Sequence, residues 1–148
     1  MTSGTAALHL GVDCLGLDVG SRVLVPEFTI ISCARAVVMS GLVPEFVDCG
    51  NDLLVDPADY IAAVGRKTSA IMAVHVYGRR CRMKELAGLR GVAIIEDLAE
   101  AHGIRPHPRT DVACWSFYGN KVVSGAEGGA VWFRDPRLAA VARQQRNL

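Results

Sequence analysis

AIMAV at residues 70–74 and VAII at 92–95 decide the fold of this chain. Both runs are apolar at every position, where a strand with one wet face would alternate apolar and polar residues. Strands of this kind lie in sheets whose two faces are both covered by helices, the arrangement of buried parallel sheets. Working outward, β-branched runs at 22–25, 43–47, 69–75, 92–96, 112–117 and 130–133 alternate with helical patterns at 5–17, 31–40, 57–64, 83–89 and 136–145. Parallel neighbours need crossover connections, so the alternation predicts an α/β fold with a mostly parallel sheet flanked by helices. Two of the helices begin with proline, Pro57 and Pro136, each behind an aspartate, Asp56 and Asp135, able to cap it.

At 51% apolar and 21% charged, the 148 residues have the composition of one globular domain with its own core, not of a disordered chain. A formal net charge of +1 gives no broad electrostatic case for nucleic acid or an acidic membrane surface. The basic cluster Arg79, Arg80, Arg82 and Lys84 reads as a solvated loop and helix start. Cys14, Cys33, Cys49, Cys81 and Cys114 are widely spaced with no C-x-x-C pattern, so they read as buried reduced thiols of a cytoplasmic protein, with no metal site expected. No apolar run approaches the roughly 20 residues of a membrane span, and MTSGTAALHLG lacks the layout of a signal peptide. No linker, repeat or composition break divides the chain. Its abrupt ends, a functional-looking turn at SGTAA and a helix near 146–148, lead us to expect a fragment of a longer protein.

Chemistry concentrates in three segments. CWSFYGNKVVSGAEGG (114–129) sets a single lysine, Lys121, on a turn between an apolar strand and a glycine-bearing loop. A lysine desolvated by apolar surroundings can form a Schiff base with an aldehyde. Ser116, on the preceding strand, is a candidate phosphate donor. IIEDLAEAHG (94–103) is a strand ending in an acid pair. Adjacent strand residues point to opposite faces, so Glu96 and Asp97 cannot serve one ligand together. Ligands of α/β sheets collect outside the carboxyl ends of the strands, where Asp97 falls. An ionised aspartate there can pair with a protonated pyridine nitrogen and keep that ring an electron sink; the competing role is a helix cap over LAEAH. Glu96 is left a structural role.

The third segment, SGTAA (3–7), opens an apolar helix. Helix-start amides and hydroxyls make either an anion site or an ordinary N-cap. As an anion site, Thr5 and the amide of Ala6 would hold a phosphate with Ser116 opposite. Lysine, strand-end acid and anion site together suit pyridoxal phosphate (PLP). His9, His75, His102 and His107 read as structural residues.

In this order, the segments SGTAALHLG (3–11), VPEFT (25–29), VPEFVD (43–48), VHVYGRRCRM (74–83), IEDLAEAHG (95–103) and SFYGNKVVSGAEGG (116–129) resemble the DegT/DnrJ/StrS family of PLP-dependent sugar aminotransferases, of fold type I. SFYGNK and EDLAEAHG are most similar to the perosamine-synthase-like branch, which aminates keto sugars on nucleotides. The resemblance implies Lys121 as the Schiff-base and proton-moving residue and Asp97 as partner of the pyridine nitrogen. It implies Thr5, Ala6 and Ser116 as phosphate ligands and Glu100 beside the ring and its phenolic oxygen. Ile30 stands where several members stack an aromatic on the ring. Further implications are glutamate as amino donor, a nucleotide-sugar acceptor, a homodimer, cytoplasmic polysaccharide biosynthesis, and aminotransfer in preference to dehydration because the lysine is kept. Full members are more than twice as long. Residues 1–148 are therefore expected to be part of the PLP-binding large domain, without the family's N-terminal segment and C-terminal small domain. The alternative reading is a non-catalytic truncated remnant that does not turn over alone. A nucleotide-binding Rossmann domain is disfavoured, since no G-x-G-x-x-G follows a strand.

Overall fold

A computed structural model describes residues 1–146. Six strands, β1 (Arg22–Pro26), β2 (Val43–Val47), β3 (Thr68–Val74), β4 (Ala93–Asp97), β5 (Val112–Ser116) and β6 (Gly129–Phe133), form one sheet in the order β2-β1-β3-β4-β5-β6. Around it lie α1 (Gly4–Asp13), α2 (Ile31–Met39), α3 (Pro57–Ala63), α4 (Met83–Leu86) and α5 (Pro136–Gln145). Every neighbouring strand pair is parallel except β5 and β6. The antiparallel edge arises because segment 117–128, rich in glycine and without helical periodicity, returns the chain through a loop.

The strand alternation sorts the core into two layers. Val23, Val25, Ala70, Met72 and Val74 meet α1 and α2, whereas Leu24, Ile71, Ala73 and Ile94 meet Tyr60, Met83 and Leu86 of α3 and α4. Leu24, Ile71 and Met72 have no exposed surface. Each such side chain contributes about 1.5–3 kcal/mol by leaving water. On the first face α1 lies directly on β5, because a Cβ at Gly11 would stand 2.7 Å from Val112 Cγ1.

Two helices are shorter than their sequence patterns. The pattern over 5–17 ends as a helix at Asp13, since Gly16 takes φ +60° and stops it. The pattern over 83–89 yields one turn, Met83–Leu86, before Gly88 and Gly91. Asp56 Oδ1 accepts from the Ala58 N–H at 2.9 Å, and Asp135 Oδ1 accepts from the Arg137 N–H at 2.9 Å, so both proline-led helices are capped. The helix end expected near 146–148 falls in part on residues 147 and 148, outside the described residues. Among the described residues, no helix is long and apolar enough to cross a membrane.

The carboxyl ends of β1, β3, β4 and β5 share one edge of the sheet, as parallel strands must. Segments 27–30, 75–82, 98–110 and 117–128 leave from that edge. Between β1 and β3 the strand order reverses, which opens a crevice at this edge.

Candidate functional site

The crevice holds two adjoining clefts. One, of about 300 Å3, is bordered by Phe28, Thr29, Tyr77, Glu100 and Lys121; the other, of about 250 Å3, by Gly4, Thr5, Ser32, Ser116 and Lys121. Ile30, Asp97, Ala99 and Lys121 border both. Lys121 and Asp97 therefore face the same clefts, although they lie on different segments.

Asp97 ends β4 and is 2% exposed. Its Oδ1 accepts from the Ala99 N–H at 2.9 Å, and its Oδ2 accepts from the Cys33 thiol at 3.2 Å. Burial raises its carboxyl above the ordinary range, opposed by these two donors and the Lys121 charge. Residues 98–102 form turns and not a helix, so the carboxylate closes a two-residue turn instead of capping LAEAH.

Glu96 points to the opposite face, as strand geometry requires. It is fully buried, accepting at Oε2 from His75 Nε2 at 2.8 Å and at Oε1 from the His107 N–H at 2.7 Å and the Thr110 hydroxyl. His75 Nδ1 accepts from the Cys81 N–H at 3.2 Å, which leaves the ring hydrogen on Nε2, facing Glu96. Burial raises Glu96, but the hydrogen bonds from His75, Thr110 and His107 outweigh it and hold the carboxyl below its usual range.

Lys121 sits in the β5–β6 loop, which Phe117 N–H to Gly128 O (2.9 Å) and Gly125 N–H to Phe117 O (2.8 Å) pin at its base. The apolar neighbours that suggested a desolvated lysine do not shield it: Val122 and Val123 are 86% and 51% exposed. The cleft walls do so, leaving its side chain 12% exposed. Its Nζ lies 3.2 Å from Glu100 Oε1, and Glu100 Oε2 accepts from the Tyr77 N–H at 3.0 Å.

That last contact depends on an unusual backbone. Tyr77 has φ 51° and ψ 38°, left-handed values that cost a non-glycine residue about 1–2 kcal/mol. Its ring packs edge-on against Phe28, 6.4 Å between centroids, at the cleft mouth. Tyr77→Ala and Tyr77→Gly both delete the ring, but only glycine relieves the strain. Urea unfolding should find the glycine variant more stable than the alanine variant by about 1 kcal/mol.

The end of the second cleft beside α1 is built by close approach. A Cβ on Gly4 would stand 2.6 Å from Ser116 Cβ, and one on Gly129 would stand 2.3 Å from the Ser3 carbonyl oxygen. Bare backbone at both positions lets the first turn of α1 rest against Ser116. Ser3 is the N-cap, its Oγ accepting from the Ala6 N–H at 3.1 Å, so the amide of Ala6 is already engaged and Ala6 does not border the clefts. Thr5 Oγ1 lies 2.7 Å from Ser32 Oγ, and both residues border the second cleft. Gly129→Ala forces the Ser3–Gly4 backbone away and is expected to cost about 1–3 kcal/mol in urea unfolding.

Of the residues singled out from sequence, Thr5, Asp97, Glu100, Ser116 and Lys121 gather at the clefts, and Ala6 stays behind its cap. Ile30, 57% exposed, borders both clefts. Sequence reasoning missed Tyr77, Phe28, Ser32, Asn120 and Cys33. Only Tyr77 carried a local signal, its place before Gly78 in a turn. His75 and His102, set aside as structural, have defined partners: His102 Nε2 donates to the Ser116 carbonyl at 2.8 Å. Among the described residues, no His/Cys/Asp/Glu group could hold a metal ion.

Comparison with known proteins gives this geometry a context. GDP-perosamine synthase of Vibrio cholerae is 38% identical over 140 residues, covering 88% of this chain and 38% of that protein. GDP-perosamine synthase of Caulobacter vibrioides is 38% identical over 152 residues, 95% of this chain and 40% of that protein. This chain thus spans about two fifths of the length of such curated relatives. Among solved structures, S. venezuelae DesV in complex with a ketimine intermediate superposes with a TM-score of 0.90 at 36% identity, covering 99% of this chain and 42% of that one. The Bacillus subtilis protein NtdA with bound cofactor PMP gives a TM-score of 0.90 at 28% identity, covering 97% and 34%. The family model that matches runs from residue 1 to residue 148, so sequence, fold and relatives agree that the chain belongs to the DegT/DnrJ/EryC1/StrS aminotransferase family.

Proposed function

We propose that this chain carries the cofactor-binding core of a PLP-dependent sugar aminotransferase, part of the large domain of such enzymes. The reaction moves an amino group from glutamate to a keto sugar on a nucleotide. One observation carries the reading: Lys121 and Asp97 border the same two adjoining clefts, with the hydroxyl residues Thr5 and Ser116 at one end.

The residues fit PLP. The cradle where Gly4 meets Ser116 is open only because glycine has no Cβ, and it brings a helix N-terminus and two hydroxyl residues to one anion-sized space. Thr5 and Ser116 would hold the phosphate, Asp97 the ring nitrogen, and Ile30 would pack as an aliphatic side chain beside the ring. When bound, PLP supplies an electron sink for charge on the carbon bearing the amine. Asp97 would meet the ring nitrogen from a position closed to water, with each of its oxygens already oriented by a donor. Glu100 holds the Lys121 Nζ inside the cleft, and Lys121 takes and returns protons at that nitrogen. Similarity to GDP-perosamine synthases supports a nucleotide-sugar acceptor.

Adding PLP to the purified chain should shift the absorbance of the free aldehyde to a distinct, protein-bound band further toward the visible. Borohydride should then fix the cofactor on the peptide bearing Lys121, read by mass spectrometry. An unchanged spectrum from a folded sample, or label on Lys67 or Lys84 instead, overturns the reading and favours a remnant that does not turn over.

A further inference from the structure

We infer that Cys33 is a positioning residue for Asp97: its thiol, carried by α2, orients the carboxylate that meets the cofactor's ring nitrogen. The inference rests on the role proposed above for Asp97. Cys33 has no exposed surface, and its Sγ donates to Asp97 Oδ2 at 3.2 Å while the Ala99 N–H holds Oδ1 at 2.9 Å. A donor on each oxygen fixes the plane of the carboxylate. Thr29 Oγ1 lies 3.1 Å from the same sulfur. The thiol's single hydrogen goes to Asp97, so the Thr29 hydroxyl donates to sulfur, and Thr29 borders the cleft. A line of hydrogen bonds thus runs from the cleft wall through sulfur to the carboxylate.

The choice of sulfur has a chemical consequence. A thiol is a weak donor, so it orients the carboxylate while drawing off little of its charge. A hydroxyl would donate more strongly and compete with the ring nitrogen for the same oxygen. Burial, chiefly, pushes the Cys33 thiol well above its ordinary range, so it keeps its hydrogen and stays a donor, not a nucleophile. The other titratable groups facing Asp97 are Lys121 from the β5–β6 loop, His75 from the segment after β3, and Cys114 from β5. Among the described residues, Cys33 supplies the side-chain hydrogen bond to Asp97.

The test follows the Asp97 carboxyl carbon by NMR as pH is lowered, in the unliganded chain with Cys33, Cys33→Ala or Cys33→Ser. The titration midpoint should move up in Cys33→Ala, which loses a donor, and down in Cys33→Ser, which gains a stronger one. In parallel, the PLP dissociation constant should rise about tenfold in Cys33→Ala and recover in part in Cys33→Ser. Midpoints that stay together, or move in the same direction, overturn the inference. If circular dichroism shows Cys33→Ala unfolded, the sign in Cys33→Ser decides: down supports the inference, and unchanged or up overturns it. Absence of a PLP band in the unsubstituted chain defeats the functional reading alone, because the carboxyl titration still judges the thiol.

Discussion

Lys121→Ala is expected to erase the protein-bound PLP absorbance band while leaving the fold almost untouched. The stability side follows from exposure. Lys121 pairs with Glu100, whose side chain is 37% exposed, and an ion pair in that setting contributes about 0–1 kcal/mol. Alanine leaves Glu100 able to turn to water with its second oxygen still on the Tyr77 N–H. Urea unfolding should therefore barely move. Lys121→Arg is the sharper companion. It keeps a cation beside Glu100 but offers a guanidinium in place of an amine able to bond covalently to an aldehyde. A PLP titration should find no band in either variant. A band that survives in Lys121→Arg would show that the reacting amine lies elsewhere.

Glu96→Ala, one residue from Asp97, should do the reverse: a large structural loss from a group that never faces the clefts. Removing it strips the partner from His75 Nε2, the His107 N–H and the Thr110 hydroxyl, all close to a fully buried carboxylate. Breaking a buried, hydrogen-bonded network by deleting one member costs about 3–5 kcal/mol. For a chain of this length that lowers the melting temperature by about 10 °C or more. The pH dependence has a definite sign. Glu96 is held below its usual range in the fold, so its contribution is present above the unfolded carboxylate range and lost as pH falls through the folded value. Asp97, raised by burial, acts in the opposite sense: the fold favours its protonated form, so its effect weakens the fold as pH rises through its titration. Thermal melts across the acid range should show a shallower acid slope in Glu96→Ala than in the unsubstituted chain.

Much of this was legible from residues alone. AIMAV and VAII announced a sheet covered on both sides, and the Asp-Pro pairs marked two helix starts that the structure caps as the spacing implies. The opposition of Glu96 and Asp97 follows from strand geometry alone, and the structure sends one to a loop network and the other to the clefts. Local pattern failed where a neighbour in space decides. Gly16 ended α1 before its apolar period ran out. Val122 and Val123 looked like insulation for Lys121 but point to solvent, because the loop is held at its base and not along its tip. Ala6 lost its amide to Ser3, a choice the sequence left open between cap and anion site. The Cys33 thiol meets a carboxylate 64 positions away, beyond the reach of any periodicity.

The seating of α1 against Ser116 and Gly129 also constrains the order of events at the ribosome. α1 leaves the ribosome well before the surfaces that receive it, β5 and β6. At translation speeds of roughly 5–20 residues per second, the greasy side of that helix, with Leu8, Leu10 and Val12, waits on the order of ten seconds for cover. A nascent chain stalled before residue 112 should accordingly expose this helix to chaperones, and release them once β5 and β6 have been made.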